Sequence, residues 1–149
     1  TFWPNFKGRD GCRTPMPWRE GEQAGFSQGQ PWLPIPAEHR AINVAAQDAD
    51  PDSILNQVRR FLGWRRSQPA LRVGRIRFLD APEPVLAFVR ETEGAAMLVV
   101  FNLSPQPVAW KLPTGLSPHL VDSHGLPSGT LQDGTLALPA RGVYYAVID

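Results

Sequence analysis

The chain has 149 residues, with 15 basic and 14 acidic side chains and a net charge of +1. This near balance of charge, without a long basic block, argues against nucleic acid as a partner. No apolar run approaches the roughly 20 residues that cross a bilayer, so we expect no membrane partner. The chain holds one cysteine, Cys12, which excludes an internal disulfide.

Residues 8–18 are the most chemically specified stretch of the chain and read Gly-Arg-Asp-Gly-Cys-Arg-Thr-Pro-Met-Pro-Trp. Pro15 and Pro17 remove backbone donors and bias the residues before them away from the helix. Gly8 and Gly11 permit backbone angles that other residues avoid. The pattern predicts a shaped loop with little freedom.

Arg9 and Arg13 lie on this stiff backbone together with Asp10. A guanidinium is a planar fork of donors that suits carboxylates and sugar hydroxyls, so two of them beside an acid are typical of a binding site. The alternative is a surface turn with an ion pair, which is worth roughly 0–1 kcal/mol. Spacing alone favours the surface turn, since surface ion pairs are common.

Four further motifs follow the first one in the chain. They are Ala-Gly-Phe-Ser at 24–27, Pro-Trp-Leu-Pro-Ile at 31–35, Ile-Asn-Val at 42–44 and Asp-Pro-Asp-Ser-Ile-Leu at 50–55. In order and approximate spacing, the five motifs resemble the α-glucosidase and oligo-1,6-glucosidase branch of the α-amylase superfamily, glycoside hydrolase family 13. The resemblance covers most of residues 1–72 motif by motif, and beyond them it rests on pattern only.

The resemblance implies a place for each part of the chain. In that family these motifs lie at the end of a catalytic (β/α)8 barrel, in the loop after the eighth strand and in the eighth helix, and a β-sandwich called domain C follows. A barrel of this kind needs about 250 residues, so the chain would be a piece. Residues 1–72 would be the loop and last helix of an incomplete barrel, and 73–149 the sandwich. The predicted fold is therefore mainly β: an antiparallel β-sandwich preceded by a long loop and one α-helix.

Residues 1–49 show neither the helical nor the strand period for long, so we predict a loop-dominated segment. Loops of this length are usually functional or disordered. Trp18 and Trp32 in it could stack on sugar rings, but aromatic plugs between this loop and the barrel are favoured, because large aromatic side chains mostly serve packing.

The clearest helix is predicted from Asp50 as N-cap, with Pro51 at the first helical position, to Ser67, with Pro69 ending it. Its apolar stripe would comprise Ile54, Leu55, Val58, Phe61, Leu62 and the stem of Arg65. In an intact enzyme this stripe would face the barrel. In the piece alone we expect the helix to fold onto the sandwich or the piece to self-associate.

Beyond the helix, short apolar runs between turn residues predict strands. They lie near 74–79, 84–90, 95–103, 107–112, 118–121, 135–138 and 142–148, with turns at 93–94, 104–105, 128–129 and 133–134. Residues 97–101 are apolar without alternation and predict a central strand covered on both faces, and 143–148 predicts a partner in the same sheet.

Glycoside hydrolysis with retention needs two carboxylates about 5–5.5 Å apart. The resemblance places these, and a third aspartate, on barrel strands outside this sequence, so no residue here is assigned a catalytic role. It does carry over Arg9 as a substrate-binding residue on the floor of the pocket for the non-reducing-end glucose. There Arg9 would pair with an aspartate from an early barrel loop, and Arg13 is either its partner or the true contact. A closed floor would explain cleavage at chain ends.

Two other patterns are weaker. His119, Asp122 and His124 suggest a metal site, but residues 119 and 124 of one strand would face opposite ways, so a polar turn is favoured. Asn102-Leu103-Ser104 matches a glycosylation acceptor by three residues only, with Pro105 beside it. We expect no metal and no cofactor.

The sequence therefore predicts the C-terminal fragment of a retaining α-glucosidase-type hydrolase, inactive alone, whose partners are small α-glucosides and the rest of the barrel. One alternative is a carbohydrate-binding module acting through Trp110 or other exposed aromatics, or a purely structural sandwich. Another is a sucrose isomerase, transglucosidase or trehalose synthase of the same family. The loop motifs favour the enzyme, since a binding module has no reason to carry them. We expect a cytoplasmic location, with the periplasm as the alternative.

Overall fold

The structure is a computed structural model that describes residues 8–148. The chain forms two compact units that divide between Arg59 and Arg60. The helices are α1 (Ala37–Ala41), α2 (Val44–Ala49), α3 (Ile54–Ser67) and α4 (Pro69–Val73). The strands are β1 (Arg75–Phe78), β2 (Val85–Thr92), β3 (Ala95–Asn102), β4 (Val108–Lys111), β5 (Pro118–Leu120), β6 (Thr130–Gln132), β7 (Thr135–Leu138) and β8 (Val143–Ile148). The predicted domain boundary at 72 and 73 stays a prediction.

The first unit is mostly loop, as predicted, but it also contains α1 and α2, which the sequence pattern did not reveal. These helices have 5 and 6 residues, too few for a helical period to show. Helices this short are unstable alone and depend on side-chain caps and packing. Within the part of the chain that is described, no helix is long and apolar enough to cross a membrane. The part of the predicted loop at 1–7 lies outside the described residues.

The predicted start of the main helix is wrong by three residues. Asp50 closes a turn instead of capping the helix, because its Oδ1 accepts a hydrogen bond from the Asp52 amide at 2.9 Å. Ser53 supplies the capping oxygen, which accepts from the Asn56 amide at 3.2 Å. The predicted end at Ser67 is confirmed, but Pro69 opens the short helix α4.

The apolar face of α3 is only partly the predicted one. Phe61 packs beneath the sandwich as expected, and Trp64, which the predicted stripe omitted, packs beside it at a ring distance of 5.5 Å. Ile54, Val58 and Leu62 remain exposed. Hence the C-terminal half of α3 folds onto the sandwich, while self-association stays a prediction.

The second unit is an antiparallel β-sandwich, which confirms the predicted fold class. A five-stranded sheet has the order β1-β2-β3-β8-β5, and a three-stranded sheet has the order β4-β7-β6. Strand β3 lies between β2 and β8, as its unbroken apolar run predicted. The sequence pattern did not reveal β6, which has a single apolar side chain, Leu131, among its three residues. The predicted turn at 128–129 is wrong, since Ser128 forms a bridge with Val143.

The main core lies between the two sheets. Its buried side chains come from both and include Val89, Val100, Leu136, Leu138, Tyr144 and Ala146. Trp110 also belongs to this core and is 6% exposed. The alternative of sugar binding through Trp110 is therefore wrong, because its ring is packed inside the sandwich.

Candidate functional site

Arg9 and Arg13 flank one short 3₁₀ turn, Asp10–Cys12, and both side chains are exposed. The Arg9 carbonyl accepts hydrogen bonds from the Cys12 amide at 3.2 Å and from the Cys12 thiol at 2.9 Å. The Arg13 amide donates to the Asp10 carbonyl at 3.0 Å. The backbone of the predicted site is thus fixed by its own hydrogen bonds, and Cys12 acts as a small local donor.

Within residues 8–148, neither guanidinium forms an ion pair with a carboxylate. The alternative of a surface turn held by an ion pair of these arginines is therefore not seen among the described residues. With no carboxylate partner among the described residues, both forks can pair with a group elsewhere in the complete protein. Their predicted role in substrate binding stays a prediction.

The loop after this turn closes on itself. The Trp18 and Arg19 amides both donate to the Ala24 carbonyl, at 2.8 and 3.2 Å. Ala24 is fully buried and has a φ of 49°, and Gly25 follows with a φ of 70°. A Cβ at Gly25 would lie 2.7 Å from the Arg19 side chain, so the glycine permits the close approach.

Arg40 holds the tip of this loop from α1. Its Nη1 donates to the Gly21 carbonyl at 2.8 Å and to the Glu22 carbonyl at 2.7 Å. Hydrogen bonds from a charged donor are typically stronger than those between neutral groups. The tip is therefore tied to a residue 18 positions further along the chain.

Asn43 fixes the neck of the loop, which is the place where residues 17 and 18 meet residues 44 and 45. It is 2% exposed, its Oδ1 accepts from the Ala46 amide at 2.9 Å and its Nδ2 donates to the Arg40 carbonyl at 2.8 Å. The two amides that follow, Val44 and Ala45, donate to the Pro17 and Trp18 carbonyls, each at 2.9 Å. One buried amide side chain thus caps α2, fixes Arg40 and presents the two donors that clamp the neck.

A second polar cluster connects α2 to the start of α3. Gln47 donates through Nε2 to the Ile42 carbonyl at 2.8 Å and accepts the Leu55 amide at 3.3 Å. Asn56 donates through Nδ2 to the Gln47 carbonyl at 3.0 Å and the Asp50 carbonyl at 2.8 Å. The side-chain amides of Gln47 and Asn56 therefore form the hydrogen bonds that the backbone groups of this segment need.

A cavity of about 240 Å³ opens beside the 3₁₀ turn. Its lining comprises Asp10, Thr14, Leu33, Pro34, Pro36 and Glu38. Two of the lining residues, Asp10 and Glu38, carry carboxylates. The expectation that the acids of this chain are not catalytic stays a prediction.

The other polar patterns do not form sites in residues 8–148. No three His, Cys, Asp or Glu side chains there come close enough to hold a metal ion. His119 is in β5, while His124 lies in a later turn with a φ of 55° and packs its ring on Trp64 at 4.5 Å. Asn102 is 2% exposed and donates through Nδ2 to the Gln106 and Pro139 carbonyls at 2.6 and 2.9 Å, so its amide is structural.

Sequence reasoning missed Arg40 as a loop brace and Asn43 as the residue that holds the neck. An asparagine just before Val-Ala-Ala is a usable N-cap signal, so Asn43 could have been found. No local pattern reports that Arg40 reaches carbonyls far away in sequence.

Comparison with protein families divides the chain in two. Residues 2–74 match the family described as alpha amylase, catalytic domain, and residues 76–144 match the family described as maltogenic amylase, C-terminal domain.

Individual relatives agree with this division. The chain is 42% identical over 146 residues to a probable alpha-glucosidase of Rhizobium meliloti (strain 1021), covering 97% of this chain and 26% of the relative. It is 36% identical over 108 residues to probable oligo-1,6-glucosidase 2 of Bacillus subtilis (strain 168), covering 72% of this chain and 19% of the relative. The chain thus spans about a quarter or less of the length of these relatives.

A solved structure shares the fold throughout. The crystal structure of an alpha-glucosyl transfer enzyme, XgtA, superposes on the whole chain with a TM-score of 0.90 and 50% sequence identity, and 28% of XgtA is covered.

Proposed function

We infer the function of this protein from its family: the chain belongs to the α-amylase superfamily, glycoside hydrolase family 13, and corresponds to a C-terminal portion of the α-glucosidases and oligo-1,6-glucosidases in it. We propose that the complete protein is a retaining α-glucosidase that releases glucose from the non-reducing end of small oligosaccharides. In this proposal residues 1–72 complete the catalytic barrel and residues 73–149 form domain C.

The observation that supports this proposal is the short turn that carries Arg9 and Arg13, together with the braced loop that follows it. The loop belongs to the stretch that matches a catalytic-domain family, and Arg40 and Asn43 fix it at its tip and neck. A free carbohydrate-binding or structural sandwich has no use for two exposed guanidinia on a rigid turn ahead of it.

In the proposed site Arg9 acts on binding and orientation. Its fork holds the distal hydroxyls of the terminal glucose and pairs with an aspartate outside this chain. A carboxylate outside this chain attacks the anomeric carbon while a second protonates the leaving oxygen, and water activated by the second carboxylate then displaces the first. Arg9 holds the sugar ring in the geometry that both steps need.

The experiment uses the complete protein and maltotriose labelled at its reducing end. The proposal predicts unlabelled glucose and labelled maltose as the first products, because only the non-reducing end enters the pocket. Labelled glucose as the first product would contradict cleavage at the non-reducing end.

A second candidate is transfer of the glucosyl group to another sugar, which the 50% identity to the transfer enzyme XgtA favours. In transfer, an acceptor hydroxyl takes the place of water in the second step, and the first step is unchanged. With p-nitrophenyl α-glucoside, hydrolysis yields glucose and p-nitrophenol in equal amounts. A deficit of glucose that grows with substrate concentration would favour transfer.

A further inference from the structure

A second cavity, called the loop cavity here, has a volume of about 380 Å³ and takes no part in the proposed mechanism. Its volume falls within the roughly 300–1,000 Å³ range of small-molecule sites. It shares Leu33 and Pro34 with the smaller cavity beside the 3₁₀ turn, so the two cavities are neighbours. Neither Arg9 nor Arg13 lines it. The loop cavity therefore adjoins the candidate substrate site without including either of its arginines.

Four polar side chains line the loop cavity, namely Glu22, Gln23, Gln30 and Arg40. Within residues 8–148, the side-chain amides of Gln23 and Gln30 form no hydrogen bond. Each of these amides has two N–H donors and one acceptor oxygen. A sugar hydroxyl also donates and accepts, so both amides can pair with a ligand that is rich in hydroxyls.

The charges of the lining favour a neutral ligand. Glu22 and Arg40 are the two charged side chains among the described residues of the lining, and their charges cancel. The lining therefore has no net attraction for an ion. Arg40 is also engaged already, because its Nη1 donates to the Gly21 and Glu22 carbonyls at 2.8 and 2.7 Å. These two bonds fix one wall of the cavity to α1, which lowers the cost of ordering it around a ligand.

The rest of the lining is apolar and comprises Pro31, Leu33, Pro34 and Ile35. Leu33 is 8% exposed, so this wall is anchored in the loop. A pyranose has C–H groups on its faces and hydroxyls along its edge, so it needs one wall of each kind. A purely aliphatic ligand would bury the two amides without partners, which is unfavourable.

We propose that the loop cavity is a second carbohydrate site, which binds one neutral pyranose unit of an oligosaccharide apart from the catalytic pocket. Gln23 and Gln30 hold the hydroxyls of this unit, and the apolar wall contacts its C–H groups. The proposal rests on the proposed function only for the kind of sugar, an α-linked glucosyl unit. An oligosaccharide held here stays close to the arginine turn, which raises its local concentration there.

The test measures how the complete protein binds a thio-linked maltotrioside, whose sulfur bridges resist hydrolysis, by isothermal titration calorimetry. An excess of 1-deoxynojirimycin fills the catalytic pocket, so the binding that remains occurs elsewhere. We expect binding to remain in the unchanged protein, and its Kd to rise at least about tenfold in the double variant Gln23→Ala/Gln30→Ala, which lacks both amides. Gln28→Ala is the matched control, because Gln28 is an exposed glutamine of the same loop that lies outside the lining, and it should bind as the unchanged protein does.

Absence of binding in the presence of 1-deoxynojirimycin, or the same Kd in the double variant and the control, would overturn the proposal. Stronger competition by glucose 6-phosphate than by methyl α-glucoside would overturn it too, because the cavity would then select an anion.

The titration needs no turnover, so it separates this proposal from the proposed function. Binding that depends on Gln23 and Gln30 in a complete protein inactive on α-glucosides would refute the proposed function alone. Hydrolysis of α-glucosides without such binding would refute the second carbohydrate site alone.

Discussion

Replacing Asn43 by alanine tests whether one buried amide holds the loop that follows the candidate site. The variant removes the cap on the Ala46 amide, which costs about 0.5–2 kcal/mol, and leaves the Arg40 carbonyl without its donor. An unsatisfied buried group costs roughly 1–3 kcal/mol, and because Arg40 is only half-buried the lower part of that range applies. We expect the loop neck to lose about 1.5–3 kcal/mol of local stability.

Amide hydrogen exchange of the complete protein measures this loss where it occurs. The Val44 and Ala45 amides clamp the neck, so their exchange should accelerate by about tenfold to more than a hundredfold, at 1.4 kcal/mol per tenfold. Asn43→Ser keeps an oxygen that can cap α2 but loses the donor to Arg40, and it should show a smaller increase. Gln132→Ala, an exposed amide in β6, should leave these amides unchanged. Unchanged exchange at Val44 and Ala45 in Asn43→Ala would refute the reasoning.

Three further predictions concern the site, the piece and the core. Arg9→Lys in the complete protein keeps the charge but loses the fork, so kcat/KM should fall by about tenfold to more than a hundredfold, for roughly 1.5–3 kcal/mol of lost hydrogen bonding, with Tm little changed. If Arg13→Lys lowers kcat/KM and Arg9→Lys does not, then Arg13 is the arginine that contacts the sugar. If neither variant changes kcat/KM, the loop is structural. The 149-residue chain alone should not hydrolyse p-nitrophenyl α-glucoside, and turnover above a buffer blank that survives repurification would contradict the assignment of its carboxylates. Burial raises the pKa of the Tyr144 and Tyr145 hydroxyls above the ordinary value of 10.0. The unfolded chain therefore ionises first, and the free energy of unfolding should fall as pH rises past that value. Denaturant titrations at several pH values should show a shallower fall in the free energy of unfolding for Tyr145→Phe, and the same dependence on pH as in the unchanged protein would contradict this.

The sandwich could be predicted because the residue types of its strands indicate which strands are buried. The unbroken apolar run at 97–101 predicted a strand with neighbours on both sides, and β3 has β2 and β8. Strand β6 carries no such signal, since Leu131 is the one apolar side chain among its three residues.

The helix shows where a local pattern stops being informative. Asp50 and Pro51 fit the start of a helix by residue type, yet the oxygen that caps α3 belongs to Ser53. The stripe at helical spacing included Leu62 and omitted Trp64, but which face is buried depends on the neighbour that is present. Trp64 is packed because Tyr145 and His124 lie against it, and these contacts join residues far apart in the chain.

The candidate site was found through motif order rather than through geometry. Arg9 and Arg13 could be singled out because they stand in a stretch with few backbone options. Arg40 could not, because its hydrogen bonds to Gly21 and Glu22 depend on how the loop folds back.

The anomeric form of the first product tests the central claim most directly. Proton NMR of the complete protein acting on p-nitrophenyl α-glucoside, recorded before mutarotation, distinguishes α-glucose from β-glucose, because all of the glucose released from this substrate comes from the non-reducing end. A retaining α-glucosidase gives the α-anomer first, because two displacements at one carbon restore its configuration. First release of the β-anomer, or no release at all from any α-glucoside, would contradict the account.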